Sequence, residues 1–320
     1  MNYIEKRIAE LHAYNPDLTA KPDLEAFWER TVREFRDKPF HEQITPVPSM
    51  LADADVYDVQ YAGFDETPIC AWYIVPRNRK HERLPCVVVF HGYPGGVDYP
   101  EDYARWVQAG FAVLAPDVRG QLGRSGNRLA ADHGQVKGFV TQNILDKERC
   151  YYRAVYVDSL RSLAWVAGRP EIDRRRIAVV GVSQGGGLTL AMGALSDIPC
   201  ALVADIPNMC HLDYCICHST GSISEAAMYC SQYPEHLEQV LDTLSYFDNL
   251  NLAHRIRVPA LLSVGLKDPI CPPESIFPVF HRIASPVKEL KVYPFIGHAV
   301  MPAQSRLAVE FVLTHTRLQA

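Results

Sequence analysis

From residue 86 onward, short apolar runs alternate with stretches long enough to form helices, which is typical of a parallel sheet covered on both faces. The runs span residues 86–90, 111–115, 177–180, 201–204, 260–264 and 290–293. Between the second and third runs, apolar residues recur at helical spacing over 154–167 and stop at Gly168. This pattern predicts a long helix and a mainly parallel α/β sheet with right-handed crossovers.

The first 85 residues follow a different pattern. Residues 1–50 mix helical periodicity with five prolines and predict an amino-terminal helical extension packed on the main body. Strand patterns over 56–61 and 69–75 flank turn residues and predict an antiparallel hairpin at the sheet edge. Because no repeat or long linker interrupts the chain, we expect a single domain over 1–320. Residues 134–146 and about 210–247 are insertions expected to form a lid or rim on the loop side.

Composition excludes several classes of protein. The chain has 320 residues, 48% of them hydrophobic, which is enough to bury a large core. Its net charge is −5 and its basic residues are scattered, so we expect no nucleic-acid partner. No apolar run approaches membrane-spanning length, and the first residues lack the apolar segment of a signal peptide. Nine cysteines, an odd number, argue against a disulfide framework, and we expect a cytoplasmic protein.

The candidate chemistry centres on Gly181-Val182-Ser183-Gln184-Gly185. Alone, such a motif fits an ordinary glycine-rich turn as well as a nucleophile. Here an apolar strand precedes it and a helix follows it, which is the setting of a nucleophile elbow. The strained turn exposes the Ser183 hydroxyl above a helix amino terminus, where free amides favour developing negative charge.

A serine nucleophile needs a base, and twelve histidines compete for that role. His298 follows the last apolar run through a short loop near the carboxyl terminus, the position that the order Ser, acid, His predicts. Most others fall on helices or surface loops and are expected to be solvated or structural: His12, His41, His81, His236, His254, His281 and His315.

Two carboxylates could orient the base. Asp268 lies in a loop stiffened by Pro269, Pro272 and Pro273, directly after an apolar run, and is the preferred acid. Asp205 follows the preceding run and is the alternative acid; otherwise it supports the pocket.

An oxyanion hole normally combines the amide after the nucleophile with one from the loop after an early strand. The first is the Gln184 amide. The second is expected from Tyr93, in the loop that begins at His91, since Pro94 has no amide hydrogen. His91 is then a structural or wall-forming residue rather than a second base.

A cluster of cysteines and histidines raises the alternative of a zinc site, since five soft metal ligands lie within nine residues: Cys210, His211, Cys215, Cys217 and His218. Their spacing fits poorly with the separated ligand pairs of structural zinc sites. We expect free cysteines and no metal.

Six segments together closely resemble the acetyl xylan esterase and cephalosporin C deacetylase family, carbohydrate esterase family 7, of the α/β-hydrolase superfamily. The resemblance runs over nearly the whole chain. Its segments are His91-Gly92-Tyr93, Arg119-Gly120-Gln121, Gly138-Phe139-Val140-Thr141, Gly181-Val182-Ser183-Gln184-Gly185-Gly186-Gly187, Leu244-Ser245-Tyr246-Phe247-Asp248-Asn249 and Ser263-Val264-Gly265-Leu266-Lys267-Asp268.

The resemblance implies an α/β-hydrolase fold with Ser183, Asp268 and His298 as the triad and the Tyr93 and Gln184 amides as oxyanion donors. It implies acetyl esters on xylo-oligosaccharides or cephalosporin C as substrates, and a hexamer. Acyl transfer by such a triad requires neither metal nor organic cofactor, so we expect none. The segment beginning at Arg119 would be mainly structural.

Asn208 departs from the pattern, because it stands where the family tends to carry an aromatic residue near the acyl pocket. With Pro207, Asn208 is therefore a pocket candidate, and the acyl-size preference is open. The alternatives are an esterase or peptidase of different acyl specificity on the same fold, or a catalytically silent binding module.

Overall fold

The computed structural model describes residues 2–78 and 82–317, so His81 lies outside the described residues. Nine strands form one sheet: β1 (Gln43–Val47), β2 (Ala54–Ala62), β3 (Pro68–Pro76), β4 (Leu84–Phe90), β5 (Ala112–Pro116), β6 (Ile172–Val182), β7 (Pro199–Asp205), β8 (Ala260–Gly265) and β9 (Lys288–Tyr293). Their order across the sheet is β1-β2-β3-β5-β4-β6-β7-β8-β9. The six strands from β5 to β9 in this order are parallel, and β1, β2 and β3 extend the sheet antiparallel.

Eleven α-helices occur in the described residues: α1 (Tyr3–Ala13), α2 (Leu24–Arg36), α3 (Ala104–Gln108), α4 (Tyr151–Ala167), α5 (Gln184–Leu195), α6 (Leu212–His218), α7 (Ser224–Gln232), α8 (Leu237–Ser245), α9 (Asn249–Leu252), α10 (Pro273–Arg282) and α11 (Pro302–Thr316). Helices α1, α2, α4, α5 and α10 contribute to the core on one face of the sheet, and α3 and α11 to the core on the other. Successive residues of β4 alternate between the two cores, with Val88 in the first and Val87 in the second. Burial on both faces explains the nearly continuous apolar runs.

The fold confirms the predicted α/β-hydrolase class and its main elements. The hairpin is β2 and β3, in which Tyr57 pairs with Tyr73. The long helix is α4, and Gly168 caps its carboxyl end. None of the helices formed by the described residues is long and apolar enough to cross a membrane.

The predicted amino-terminal helical extension is present, but it is not helical over its last residues. Helices α1 and α2 form, but the extension ends in β1, which pairs antiparallel with β2 as the edge strand. Most of β1 is exposed, so it shows no alternation of buried and exposed positions. Pro46 fits because an edge strand tolerates a residue that donates no ladder hydrogen bond.

The chain between β7 and β8 departs from the sheet and forms α6, α7, α8 and α9. We call residues 210–247 the helical insertion. The amino-terminal extension packs beside it, since Trp28 Nε1 donates to the Tyr246 carbonyl oxygen at 2.8 Å. The extension and the insertion therefore share one core with the sheet.

A buried ion pair supports the loop after β5. Arg119 is fully buried and donates two hydrogen bonds to Asp158 of α4, at 2.6 and 2.9 Å. A third bond, of 2.9 Å, reaches Asp65 in the turn between β2 and β3. Arg119 thus ties the hairpin, the β5 loop and α4 together.

Replacing Asp158 should destabilise the fold strongly, because the fully buried Arg119 would keep only Asp65, whose side chain is 23% exposed, as a charged partner. We expect Asp158→Asn to lower the free energy of unfolding by about 3–5 kcal/mol, measured by urea denaturation. The matched control is Asp55→Asn, which removes an exposed pair with Arg77 and should cost no more than about 1 kcal/mol. Equal losses in the two variants would contradict this account of Arg119.

Candidate active site

Ser183 sits in a strained backbone conformation between β6 and α5, with φ of 57° and ψ of −118°. Its amide donates to the Asp205 carbonyl oxygen at 2.9 Å, and its own carbonyl oxygen accepts from the Asn208 amide at 2.9 Å. A positive φ at a non-glycine residue costs about 1–3 kcal/mol and persists only where the surroundings hold it. The end of β7 and the loop after it supply that support.

Glycines around Ser183 allow main-chain segments to approach where no side chain would fit. A Cβ on Gly185 would lie 2.0 Å from the Phe90 carbonyl oxygen, and one on Gly181 would lie 2.2 Å from the Gly185 carbonyl oxygen. A Cβ on Gly187 would lie 2.4 Å from the Asn208 carbonyl oxygen. The turn therefore packs main chain against main chain on three sides.

The structure brings Ser183, His298 and Asp268 together. His298 Nε2 lies 2.9 Å from Ser183 Oγ, and His298 Nδ1 lies 2.8 Å from Asp268 Oδ2. Asp268 Oδ1 accepts from the Ile270 and Cys271 amides at 2.8 and 2.9 Å, which holds the carboxylate still. A carboxylate on Nδ1 selects the tautomer whose Nε2 accepts the serine proton. The arrangement has the geometry of a nucleophile, base and acid triad.

The triad is nearly closed off from solvent. Ser183 is 8% exposed, the Asp268 side chain is fully buried, and the His298 side chain is 20% exposed. The loop carrying His298 packs against the end of β8, where a Cβ on Gly265 would lie 2.4 Å from the Ile296 carbonyl oxygen.

Asp205, the alternative acid, points elsewhere. Its Oδ1 accepts from Ser263 Oγ and from Gln304 Nε2, both at 2.7 Å. Burial raises the pKa of this carboxyl above its ordinary range. Asp205 therefore connects β7, β8 and α11, and Asp268 is the carboxylate in contact with His298.

The main-chain amides of Gln184 and Tyr93 are the predicted oxyanion donors. Gln184 is the first residue of α5, so its amide has no acceptor within the helix and lies at the positive end of the helix dipole. Tyr93 follows Gly92, and a Cβ on Gly92 would lie 3.7 Å from Ser183 Cβ. The loop after β4 thus brings the Tyr93 residue alongside the nucleophile.

Side chains behind these amides join the two segments. Gln121 Nε2 donates to Gln184 Oε1 at 2.9 Å, and Gln184 Nε2 returns a bond of 3.2 Å to Gln121 Oε1. Gln121 also accepts from the Gly95 amide at 3.3 Å. The β5 loop thereby links the start of α5 to the Tyr93 loop.

His91 is fully engaged by the main chain. The Val118 amide donates to Nε2 at 2.9 Å, so Nδ1 carries the proton and donates to the Gly92 carbonyl oxygen at 2.8 Å. Burial lowers the pKa of His91 below its ordinary value. The ring holds the Tyr93 loop and has no nitrogen free to act as a base.

Pro207 and Asn208 lie beside the first turn of α5. A Cβ on Gly186 would lie 3.0 Å from Pro207 Cα. Asn208 is buried, and its Nδ2 donates to Ser222 Oγ of the helical insertion at 3.0 Å. The pocket candidates therefore line the boundary between the elbow and the insertion.

One group of side chains in the described residues has ligand atoms close enough to hold a metal ion: Asp268, Cys271 and His298, within 4.8 Å of one another. Both Asp268 oxygens and both His298 ring nitrogens already have hydrogen-bond partners. The 210–218 cluster forms no such group, because Cys210 and Cys215 are buried while Cys217 and His218 are exposed. All nine cysteines are free.

Comparison with known proteins decides the family. A family model described as acetyl xylan esterase (AXE1) matches residues 1–315. The chain belongs to the acetyl xylan esterase family. It is therefore a carboxylic-ester hydrolase.

Two solved structures are similar over almost their full length. An acetyl xylan esterase from Paenibacillus sp. R4 is 37% identical with a TM-score of 0.92, covering 96% of this chain and 99% of that one. Acetyl xylan esterase 1 from Thermoanaerobacterium sp. JW/SL YS485 is 30% identical with a TM-score of 0.90, covering 97% and 98%. An acetyl esterase of Xylanibacter ruminicola is 25% identical over 89% of this chain, which spans 66% of that relative's length.

Sequence reasoning missed two residues that support the site. Glu225 of α7 accepts a hydrogen bond from the Tyr93 hydroxyl at 2.8 Å, and Gln304 of α11 donates to Asp205. Neither belongs to a local motif, since their partners lie 132 and 99 positions away in sequence. The one available signal was that Glu225 lies within residues 210–247, which the sequence predicted to form a lid or rim over the site.

Replacing the two carboxylates should lower kcat by different amounts. Asp268→Asn should lower kcat by about 10⁴-fold, because an amide on Nδ1 favours the wrong tautomer of His298. Asp205→Asn should cause a smaller loss, because Asp205 does not contact the base. Steady-state kinetics with p-nitrophenyl acetate measure both, and a larger loss in Asp205→Asn would contradict the assignment of the acid.

Proposed function

We propose that this chain removes acetyl groups from small acetylated carbohydrates by two-step acyl transfer. One observation carries this proposal: an unbroken chain of hydrogen bonds runs from Ser183 Oγ through His298 to Asp268, at 2.9 and 2.8 Å. Membership of the acetyl xylan esterase family supports the acetyl group.

In the first step, Ser183 Oγ attacks the ester carbonyl carbon while His298 Nε2 takes the hydroxyl proton. The carbonyl oxygen becomes an oxyanion, which the Gln184 and Tyr93 amides stabilise. His298 then gives its proton to the leaving sugar oxygen, the carbon–oxygen bond breaks, and the acetyl-enzyme remains. Asp268 stabilises the imidazolium through Nδ1 throughout.

In the second step, water attacks the acetyl carbon and gives a proton to His298. The tetrahedral intermediate again places its oxygen on the two amides. Its collapse returns the proton from His298 to Ser183 Oγ and releases acetic acid. No step requires a metal or organic cofactor, since acid, base and oxyanion donors all come from the chain.

The surroundings of Ser183 support a small acyl group and an accessible leaving group. Ser183 itself is 8% exposed and borders the buried Asn208. In contrast, Val182 and Phe295, which precede Ser183 and His298 in the chain, are 40% and 70% exposed. An acetyl group would enter the buried side while the sugar remains near these exposed apolar residues.

Acetate release should identify the substrate. We expect turnover of acetylated xylo-oligosaccharides, glucose pentaacetate and cephalosporin C, falling as the acyl chain of p-nitrophenyl esters lengthens. Ser183→Ala should reduce kcat by on the order of 10⁴-fold or more while leaving the thermal unfolding curve intact. A fluorophosphonate should label wild type and not Ser183→Ala.

Either of two results would overturn the assignment. Full activity of Ser183→Ala would remove the proposed nucleophile, and faster cleavage of a peptide p-nitroanilide than of any acetyl ester would favour a peptidase.

We further propose a cytoplasmic hexamer, as the family resemblance implies. The nine free cysteines support a reducing compartment. Light scattering of the purified chain should give six times the mass of one chain, and a monomer mass would contradict the hexamer.

A further inference from the structure

The Tyr93 side chain is held at its far end. Its hydroxyl donates to Glu225 Oε1 at 2.8 Å and accepts from the Phe139 amide at 2.9 Å. The same carboxylate accepts from the Val140 amide through Oε2 at 3.1 Å. One carboxylate and one phenol therefore join three segments: the loop after β4, the loop around 138–140, and α7 of the helical insertion.

This junction is packed as tightly as the elbow. A Cβ on Gly138 would lie 1.9 Å from Tyr93 Oη and 2.3 Å from Glu225 Oε1. The phenol ring accordingly has little freedom to swing. Because the ring and the main-chain amide belong to the same residue, fixing the hydroxyl also restricts the direction in which the amide points.

Burying the Glu225 carboxylate at this position carries an unfavourable free energy of desolvation. Glu225 is 5% exposed and no salt bridge to it is present among the described residues. Burial raises the pKa of its carboxyl. An apolar side chain would pack there without the desolvation penalty but would leave the Tyr93 hydroxyl and the Val140 amide without this acceptor. These two bonds, rather than helix packing, therefore account for the carboxylate.

We propose that Glu225 is a positioning residue for ester hydrolysis: from α7 it holds the Tyr93 hydroxyl so that the Tyr93 amide faces the oxyanion. The inference rests on the proposed oxyanion role of Tyr93. It also makes the helical insertion a fixed wall of the oxyanion hole rather than a lid that swings away between turnovers.

Glu225→Gln tests this directly. The glutamine oxygen can still accept the hydrogen bond from the Tyr93 hydroxyl. Its NH₂ group then faces the Val140 N–H, so the bond to Val140 is lost and two hydrogen-bond donors face each other. Since one oxyanion donor is worth about 10²–10³ in kcat, we expect its misalignment to lower kcat by about 10–100-fold with KM little changed.

Tyr93→Phe removes only the hydroxyl and should give a similar loss, and the double variant should lose little more than either single variant. Affinity for a trifluoromethyl ketone, whose adduct carries an oxyanion, should fall in parallel with kcat. The control is Ser231→Ala, which removes an exposed serine hydroxyl bonded within α7 to Ala227 and should leave all three measurements unchanged.

Several results would overturn the inference. These are unchanged kcat in Glu225→Gln and Tyr93→Phe, a change confined to KM, or unaltered affinity for the ketone. If Glu225→Gln does not fold, Tyr93→Phe decides alone, and full kcat in that variant contradicts the role of Glu225. Failure of the proposed function is distinguishable, because it would appear as activity in Ser183→Ala.

Discussion

The close approach of main chain to main chain at the carboxyl ends of the central strands is the constraint on which the site depends. Gly185 lies against the end of β4, Gly181 against the turn that follows it, and Gly265 against the loop carrying His298. A single methyl group at any of these positions would push apart segments that hold catalytic side chains. The geometry of the triad therefore depends on these main-chain contacts as well as on the hydrogen bonds of its side chains.

Backbone strain is concentrated in the same place. Besides Ser183, the loop after β7 holds Ile206, Met209 and His211 at φ of 40°, 56° and 50°. Conformations of this kind persist only where neighbouring groups hold them. Buried Asp248 provides part of that support, accepting from the His211 and Leu212 amides at 2.8 and 2.6 Å. The pocket side of the elbow is thus stable through polar contacts to main-chain amides as well as through apolar packing.

Those parts of the fold and site that follow from local pattern were predictable. The parallel strands other than β9 appeared as apolar runs because both of their faces are buried, and Ser183 and His298 stand at recognisable places after strands. Strand β1 was not predictable, since its exposed residues carry no pattern of burial. The choice of Asp268 over Asp205 rested on loop stiffness and on the family resemblance, and the contacts that distinguish the two carboxylates involve residues such as Gln304 far along the chain. No local sequence motif pointed to Glu225, because its hydrogen-bond partners lie in two loops that are distant in sequence and meet α7 only in the folded protein.

The hydrogen bonds of Gln304 have a consequence for the histidine loop. Gln304 bonds to buried Asp205 and also accepts from the Tyr293 hydroxyl at 2.9 Å, so the chain before His298 is tied directly to the chain after it. A segment tethered at both ends searches a small volume. The conformational entropy needed to place the imidazole beside the serine is therefore lost once, when the protein folds. It is not lost again in each catalytic cycle.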